Sequence, residues 1–250
     1  MSLFHDRGVV IRTHRIGEAD RIVVLLTEEH GKVRAVAKGV RRTASRFGAR
    51  LEPMSHVDLL LWQGRGDLDT VNQAEAVDAY AVIRSDLDRV AQALSLLEVV
   101  DQLAQERHPD PRLYRMLVGA LSVLDDPERA PDLVAPAFFL KALVLEGAGP
   151  VVESCASCGG EPDGPDGVEL VAFDMAEGGA LCRRCRRGRA VSPAALELMR
   201  SIMGGGLGTV LRGDVPPGSA EVAALATEAM EVHLDRRLRS VRSVAGISGL

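Results

Sequence analysis

The sequence predicts an α+β chain: a small closed barrel of five strands, then helices, with an insertion organised around a metal. Three observations carry this. Five short Val/Ile/Leu-rich segments fall within about 75 residues. The apolar period then changes to that of helices after Ala79. All four cysteines fall in one Gly- and Pro-rich stretch of the C-terminal half.

Residues 8–13, 21–27 and 32–37 read as the first three strands. Turn-like Ile16-Gly17-Glu18-Ala19-Asp20 and Glu28-Glu29-His30-Gly31 separate them. Residues 57–62 and 70–76 supply two more, split by Gln63-Gly64-Arg65-Gly66-Asp67. Five strands at this spacing suit a closed barrel better than a sandwich. Trp62, in the fourth strand, reads as core rather than as a stacking platform.

Beyond the barrel, Leu87, Val90, Leu94, Leu97 and Val100 recur at helical spacing, with Ser85 as N-cap. Pro109 and Pro111 end that helix and open a second over 113–124. A third covers 135–146 and stops at Gly147 and Gly149. Residues 148–191 read as irregular. Ser192-Pro193 opens another helix, and Gly204, Gly205, Gly206 and Gly208 form a linker. The last helix carries Val222, Leu225, Met230, Leu234, Leu238 and Val241 on one face. The domains expected are 1–79 for the barrel and 80–250 for the helical part, with the insertion at about 150–190.

The net charge of −5 argues against an indiscriminate polyanion binder, so local clustering decides. Residues 1–78 carry 12 Lys/Arg against 11 Asp/Glu, and the remainder is net acidic. The stretch 133–152 is broken by Pro136, Lys141 and Glu146, so it reads as a core helix rather than a membrane span. Asp6 and Arg7 stand where a signal peptide would need an apolar run. A cytoplasmic, nucleoid-associated location is expected.

Cys155-Ala156-Ser157-Cys158 and Cys182-Arg183-Arg184-Cys185 are two Cys-x-x-Cys knuckles with 23 residues between them. Two such knuckles converge on a tetrahedral ion, and four thiolates close its shell, so a structural zinc is the reading. The alternative is four free or redox-active thiols. Arg183, Arg184, Arg186, Arg187 and Arg189 surround the second knuckle. They either meet phosphate or offset the charge of the thiolates, and the sequence leaves both open.

Lys32, Arg34, Lys38, Arg41, Arg42, Arg46 and Arg50 lie within 19 residues with no acid between them. They straddle the third strand and the loop after it. In a barrel of the oligonucleotide-binding (OB) type, strands 2 and 3 and the adjoining loops form the nucleic-acid surface. These seven are therefore the candidate DNA-binding residues, against the alternative of ordinary solvated surface. Phe47 either plugs the core or stacks on a base, with the plug favoured. No Walker A motif is present, and no histidine stands in a nucleophile or metalloprotease motif, so no enzyme is expected.

The run Arg12-Thr13-His14-Arg15-Ile16-Gly17-Glu18-Ala19-Asp20-Arg21-Ile22-Val23 resembles the start of the bacterial DNA repair family RecO. So do Thr27-Glu28-Glu29-His30-Gly31-Lys32, Ala37-Lys38-Gly39-Val40-Arg41-Arg42, Ser45-Arg46-Phe47-Gly48 and Leu51-Glu52-Pro53. The order of barrel, helices, paired knuckles and closing helices agrees along the whole chain. The resemblance implies a recombination mediator that binds single- and double-stranded DNA, anneals strands, works with RecR and helps load RecA. It also implies docking of the acidic C-terminal tail of single-stranded DNA-binding protein on the helical domain. Some members lack the cysteines; all four here imply zinc. The competing reading is an RNA-binding or ribosome-associated barrel with a zinc ribbon.

Overall fold

Alternating apolar residues build the barrel. In the computed structural model, residues 2–42, 45, 47–64, 66–164, 167–205 and 215–240 are described. Strands β1 (Leu3–Ile16), β2 (Asp20–Thr27), β3 (Gly31–Ala37), β4 (His56–Trp62) and β5 (Asp69–Asp78) close in the order β1-β2-β3-β5-β4. All ladders are antiparallel except β3–β5, a parallel pairing of only Ala35–Val36 with Asp69–Thr70. Every second residue therefore points inward, and Val10, Val23, Leu25, Val33, Ala35, Val57, Leu59, Leu61 and Val71 form the barrel core. Val40, Phe47 and Leu51 from the β3–β4 connection complete it, so Phe47 is a plug.

Helix α1 (Ala81–Ser85) leads into α2 (Leu87–Leu103) and α3 (Pro111–Leu124). The cap of α2 is Asp86, not Ser85: its carboxylate accepts from the backbone N–H of Asp88 and Arg89. The expected apolar face is also corrected. Leu97 and Val100 of that face are buried, but Leu87 and Leu94 point outward, while Arg89, Ala93, Leu96 and Val99 are buried as well. Two sides of α2 are covered, because it packs on α1 and α3 and also on β1. Buried Arg89 donates to the carbonyls of Leu124 (2.6 Å) and Asp126 (2.9 Å), satisfying the end of α3.

On the barrel's outer side Val9, Val24 and Leu26 are at most 2% exposed, although they lie outside the barrel core. Asp101, in the last turn of α2, explains their cover. Its carboxylate pairs with Arg12 of β1 at 3.0 Å, and its carbonyl accepts from Lys32 Nζ of β3 at 2.7 Å. The segment after α2 then runs along β3. Lys32 N–H donates to Gln105 O, and Arg107 N–H to Lys32 O. Arg107 also reaches the fully buried carboxylate of Asp69 at 2.7 Å. This segment covers the half of β3 that β5 leaves unpaired, and leaves no room beside Gly31, where a Cβ would meet His108 O at 2.1 Å.

The contacts divide the chain into two units. One runs to Asp126 and includes Ser240; the other is Pro127–Arg239. The second is built on α4 (Val134–Leu145), a helix buried nearly all round, with α5 (Pro193–Met203) and α6 (Ser219–His233) against it. Ser192 caps α5 as expected, its Oγ accepting from Ala195 N–H at 3.1 Å. Helix α6 ends at His233, short of the expected face. Asp235 takes φ 48°, Leu238 is buried beyond the helix, and Val241 lies outside the described residues. So do Gly206 and Gly208 of the linker. Residues 148–191 are not irregular. They contain a three-stranded sheet, β6 (Leu170–Asp174), β7 (Gly179–Cys182) and β8 (Arg189–Ala190), in the order β7-β6-β8. Among the described residues no helix is long and apolar enough to cross a membrane.

The plug gives a direct stability test. Phe47→Ala removes a fully buried ring from a barrel with few other aromatics, and should lower unfolding free energy by about 3–5 kcal/mol in urea. A change under about 1 kcal/mol would show that the connection does not belong to the core.

Candidate nucleic-acid interface and metal centre

The seven cations predicted in the barrel do not share one environment. Lys32 is tied to Asp101, and its side chain is only 15% exposed. Arg34 pairs with Glu106 at 3.8 Å. Helix α2 and its following segment thus occupy that part of the β1–β3 outer face, and these two are not free cations. The others sit beyond the strand end. Lys38, Arg41, Arg42 and Arg50 are exposed, and Arg46 lies outside the described residues.

Hydrogen bonds hold this loop against the β1–β2 hairpin. Gly39 N–H donates to Asp20 Oδ1 (2.7 Å), Arg41 N–H to Ala19 O (3.0 Å) and Arg41 Nη1 to Glu18 O (2.9 Å). Gly39 has φ 67°, the left-handed turn that lets the chain leave β3 toward the hairpin. The hairpin adds Arg15, exposed on β1 and absent from the sequence-based set. Its signal was the alternation of β1, which places Arg15 at the strand end opposite Arg21. Among the described residues Arg15, Lys38 and Arg42 have no acidic partner. The result is a cationic barrel end with few internal counter-charges.

The cysteines converge. Their four Sγ atoms lie within 4.8 Å of one another, and Cys158 Sγ is 3.9 Å from Cys182 Sγ. A tetrahedral ion with metal–sulfur bonds of about 2.3 Å needs sulfurs roughly 3.8 Å apart, so the donor set fits. The distances are too long for disulfides. Local backbone bonds fold both knuckles. Cys155 N–H donates to Gly160 O (2.8 Å), Gly159 N–H to Cys155 O (2.8 Å) and Cys185 N–H to Cys182 O (3.1 Å). Ala156 N–H to Ala180 O (2.8 Å) joins the first knuckle to β7. Gly179 sits so close to Val151 that a Cβ would meet its carbonyl at 2.3 Å.

The electrostatics also suit a cation. Burial opposes ionisation of Cys155, but the N–H groups of Cys182, Cys158 and Ser157 outweigh it and hold the thiol down to about 6. The N–H of Cys185 leads in lowering Cys182. Hydrogen bonding with Cys158 leads in pushing Cys185 up to about 11. Thiols this close cannot all ionise together without a positive charge among them, and a metal ion held between them would supply one.

The arginines around the second knuckle are mostly paired. Arg183 meets Glu169 at 2.7 Å, Arg187 meets Glu177, and Arg189 meets Glu228 at 3.4 Å. Arg184 is raised by its hydrogen bond to Cys158 and by the nearby thiols. Glutamates thus hold three of these arginines, while Arg184 lies against the thiols whose charge it offsets.

The architecture is thus a closed five-stranded barrel ahead of a helical region that holds a four-cysteine cluster. Family models sharpen this: Recombination protein O N terminal matches residues 1–80, and Recombination protein O C terminal matches residues 84–242. The chain belongs to the RecO family, whose members are DNA-binding mediators of recombination and repair rather than classical enzymes; the barrel is its OB-fold. The resemblance read from the N-terminal motifs therefore holds along the whole chain.

Cys182→Ser should lower bound metal and increase amide exchange over residues 150–190, because a closed site contributes folding energy. Metal analysis and hydrogen exchange test this together. Full metal content in a chain with all four cysteines changed to serine would contradict it.

Proposed function

We propose that the chain is a recombination mediator that anneals complementary DNA strands and assists RecA loading on DNA coated by single-stranded DNA-binding protein, with RecR as partner. The observation that carries this reading is the cationic barrel end. Lys38, Arg41, Arg42 and Arg50, with Arg15 from the hairpin, present exposed charge in an otherwise acidic chain. Such a surface follows a phosphate backbone without reading sequence, as annealing of arbitrary strands requires. Arg46, in the same basic run of the sequence, is a proposed DNA-binding residue. Lys32 and Arg34 contribute field from the barrel wall, weakened by Asp101 and Glu106.

The functional division we propose is 1–79 for DNA binding and 80–250 for the helical domain, which docks the acidic, apolar-ended tail of single-stranded DNA-binding protein. Zinc is the metal we assign to Cys155, Cys158, Cys182 and Cys185, in a structural role, since four thiolates leave no position for water. Membership of a DNA-binding family suits a cytoplasmic, nucleoid-associated location.

A strand-annealing assay with and without the cognate single-stranded DNA-binding protein tests the mediator role; annealing blocked by that protein would overturn it. Arg41→Ala, Arg42→Ala and Arg46→Ala together should weaken binding of many sequences alike. Each lost phosphate contact should reduce the slope of log affinity against log salt by roughly 0.7 on single strands and 0.9 on duplex. Unchanged affinity and slope would move the DNA surface to the knuckle arginines, and Arg183→Ala with Arg187→Ala would then test that site.

A further inference from the structure

Several large apolar side chains are exposed among the described residues. Trp62 is one, which corrects its expected place in the core: Leu61 points into the barrel, so Trp62, the next residue of β4, points out. Leu87 is the most exposed of them at 76%, and Leu94 of the same helix is 41% exposed.

Helical geometry puts these two leucines on one stripe. Leu87, Ala91, Leu94 and Glu98 are four, three and four residues apart, so they fall within about 60° of one another around α2. The other sides of α2 are occupied by α1, α3 and β1. The stripe ends at Glu98, which holds a distant part of the chain. Its carboxylate accepts from the N–H of Ser240 at 2.9 Å and from Ser240 Oγ at 2.7 Å, across 142 residues of sequence. Two bonds from one residue to one ionised acceptor fix where the following chain begins.

Residues 241–250 lie outside the described residues, but their sequence suits the stripe. Val241, Val244, Ile247 and Leu250 recur every third residue, and Arg242 is the only charged side chain. A segment with one cation and no acid matches a stripe that ends in a carboxylate. The reach also fits. Along the axis of α2, Leu94 is roughly 6 Å from Glu98 and Leu87 roughly 16 Å. Ten residues span about 15 Å when helical and about 33 Å when extended.

We propose that the exposed stripe of α2 is the dock of the chain's own segment 241–250, with Ser240 on Glu98 as its anchor and Leu94 and Leu87 as its apolar contacts. No linker separates the anchor from the segment, so the segment meets the stripe at a far higher effective concentration than a separate partner does. While docked, it closes the stripe to other proteins. Its release opens an apolar face on α2.

Hydrogen exchange of the full chain tests this. Amides of residues 241–250 should exchange at least about tenfold more slowly than in a free peptide of the same sequence, because docking takes the exposed parts of two leucines out of water. Leu94→Asp on the helix, and separately Ile247→Asp on the segment, should return those amides to the peptide rate. Both should leave the far-ultraviolet circular dichroism unchanged, since Leu94 stands at the surface. Benzoylphenylalanine in place of Leu87 should cross-link to a peptide from 241–250 of the same chain in dilute solution. Exchange at the peptide rate in the unaltered chain would overturn the dock. So would slowed exchange that ignores both substitutions, or cross-links that reach only a second copy.

Discussion

Asp101 decides which face of the barrel remains available. From the last turn of α2 it holds Arg12 on β1 and Lys32 on β3, with the buried outer side chains of β1 and β2 between them. A carboxylate this buried is stable only with charged partners, so the three groups fix one another. The segment that follows then pairs with Lys32 and delivers Arg107 to buried Asp69. Part of the sheet face used by OB-type barrels is consequently lined by protein. What stays open is the strand end beyond it.

That open end is organised from inside. Val40, Phe47 and Leu51 anchor the β3–β4 connection in the core, and three hydrogen bonds tie the loop to the β1–β2 hairpin. The exposed arginines are thus carried on a loop whose backbone is pinned at both faces. Backbone held in this way loses less entropy when a phosphate arrives.

Much of this was legible in the sequence. Val/Ile/Leu-rich segments between turn residues marked all five strands, and Cys-x-x-Cys spacing marked a cluster that does converge. The N-terminal motifs carried the family. What failed was what depends on distant contacts. Lys32 and Arg34 look like their neighbours in a one-dimensional charge run, and only α2 distinguishes them. Trp62 was read as core because it is large and lies in a strand, but the parity of β4 turns it out. Leu87 and Leu94 matched one helical face, whereas α2 is covered on two sides. The sheet of the insertion was hidden because its strands are two to five residues long among Gly and Asp.

The central claim is that single-stranded DNA lies on the barrel end rather than at the metal centre. Photo-cross-linking of a strand carrying photoreactive thymines, followed by mass spectrometry of the peptides, addresses it most directly. Cross-links should fall on residues 12–16 and 34–42. Cross-links confined to residues 183–189 would contradict it.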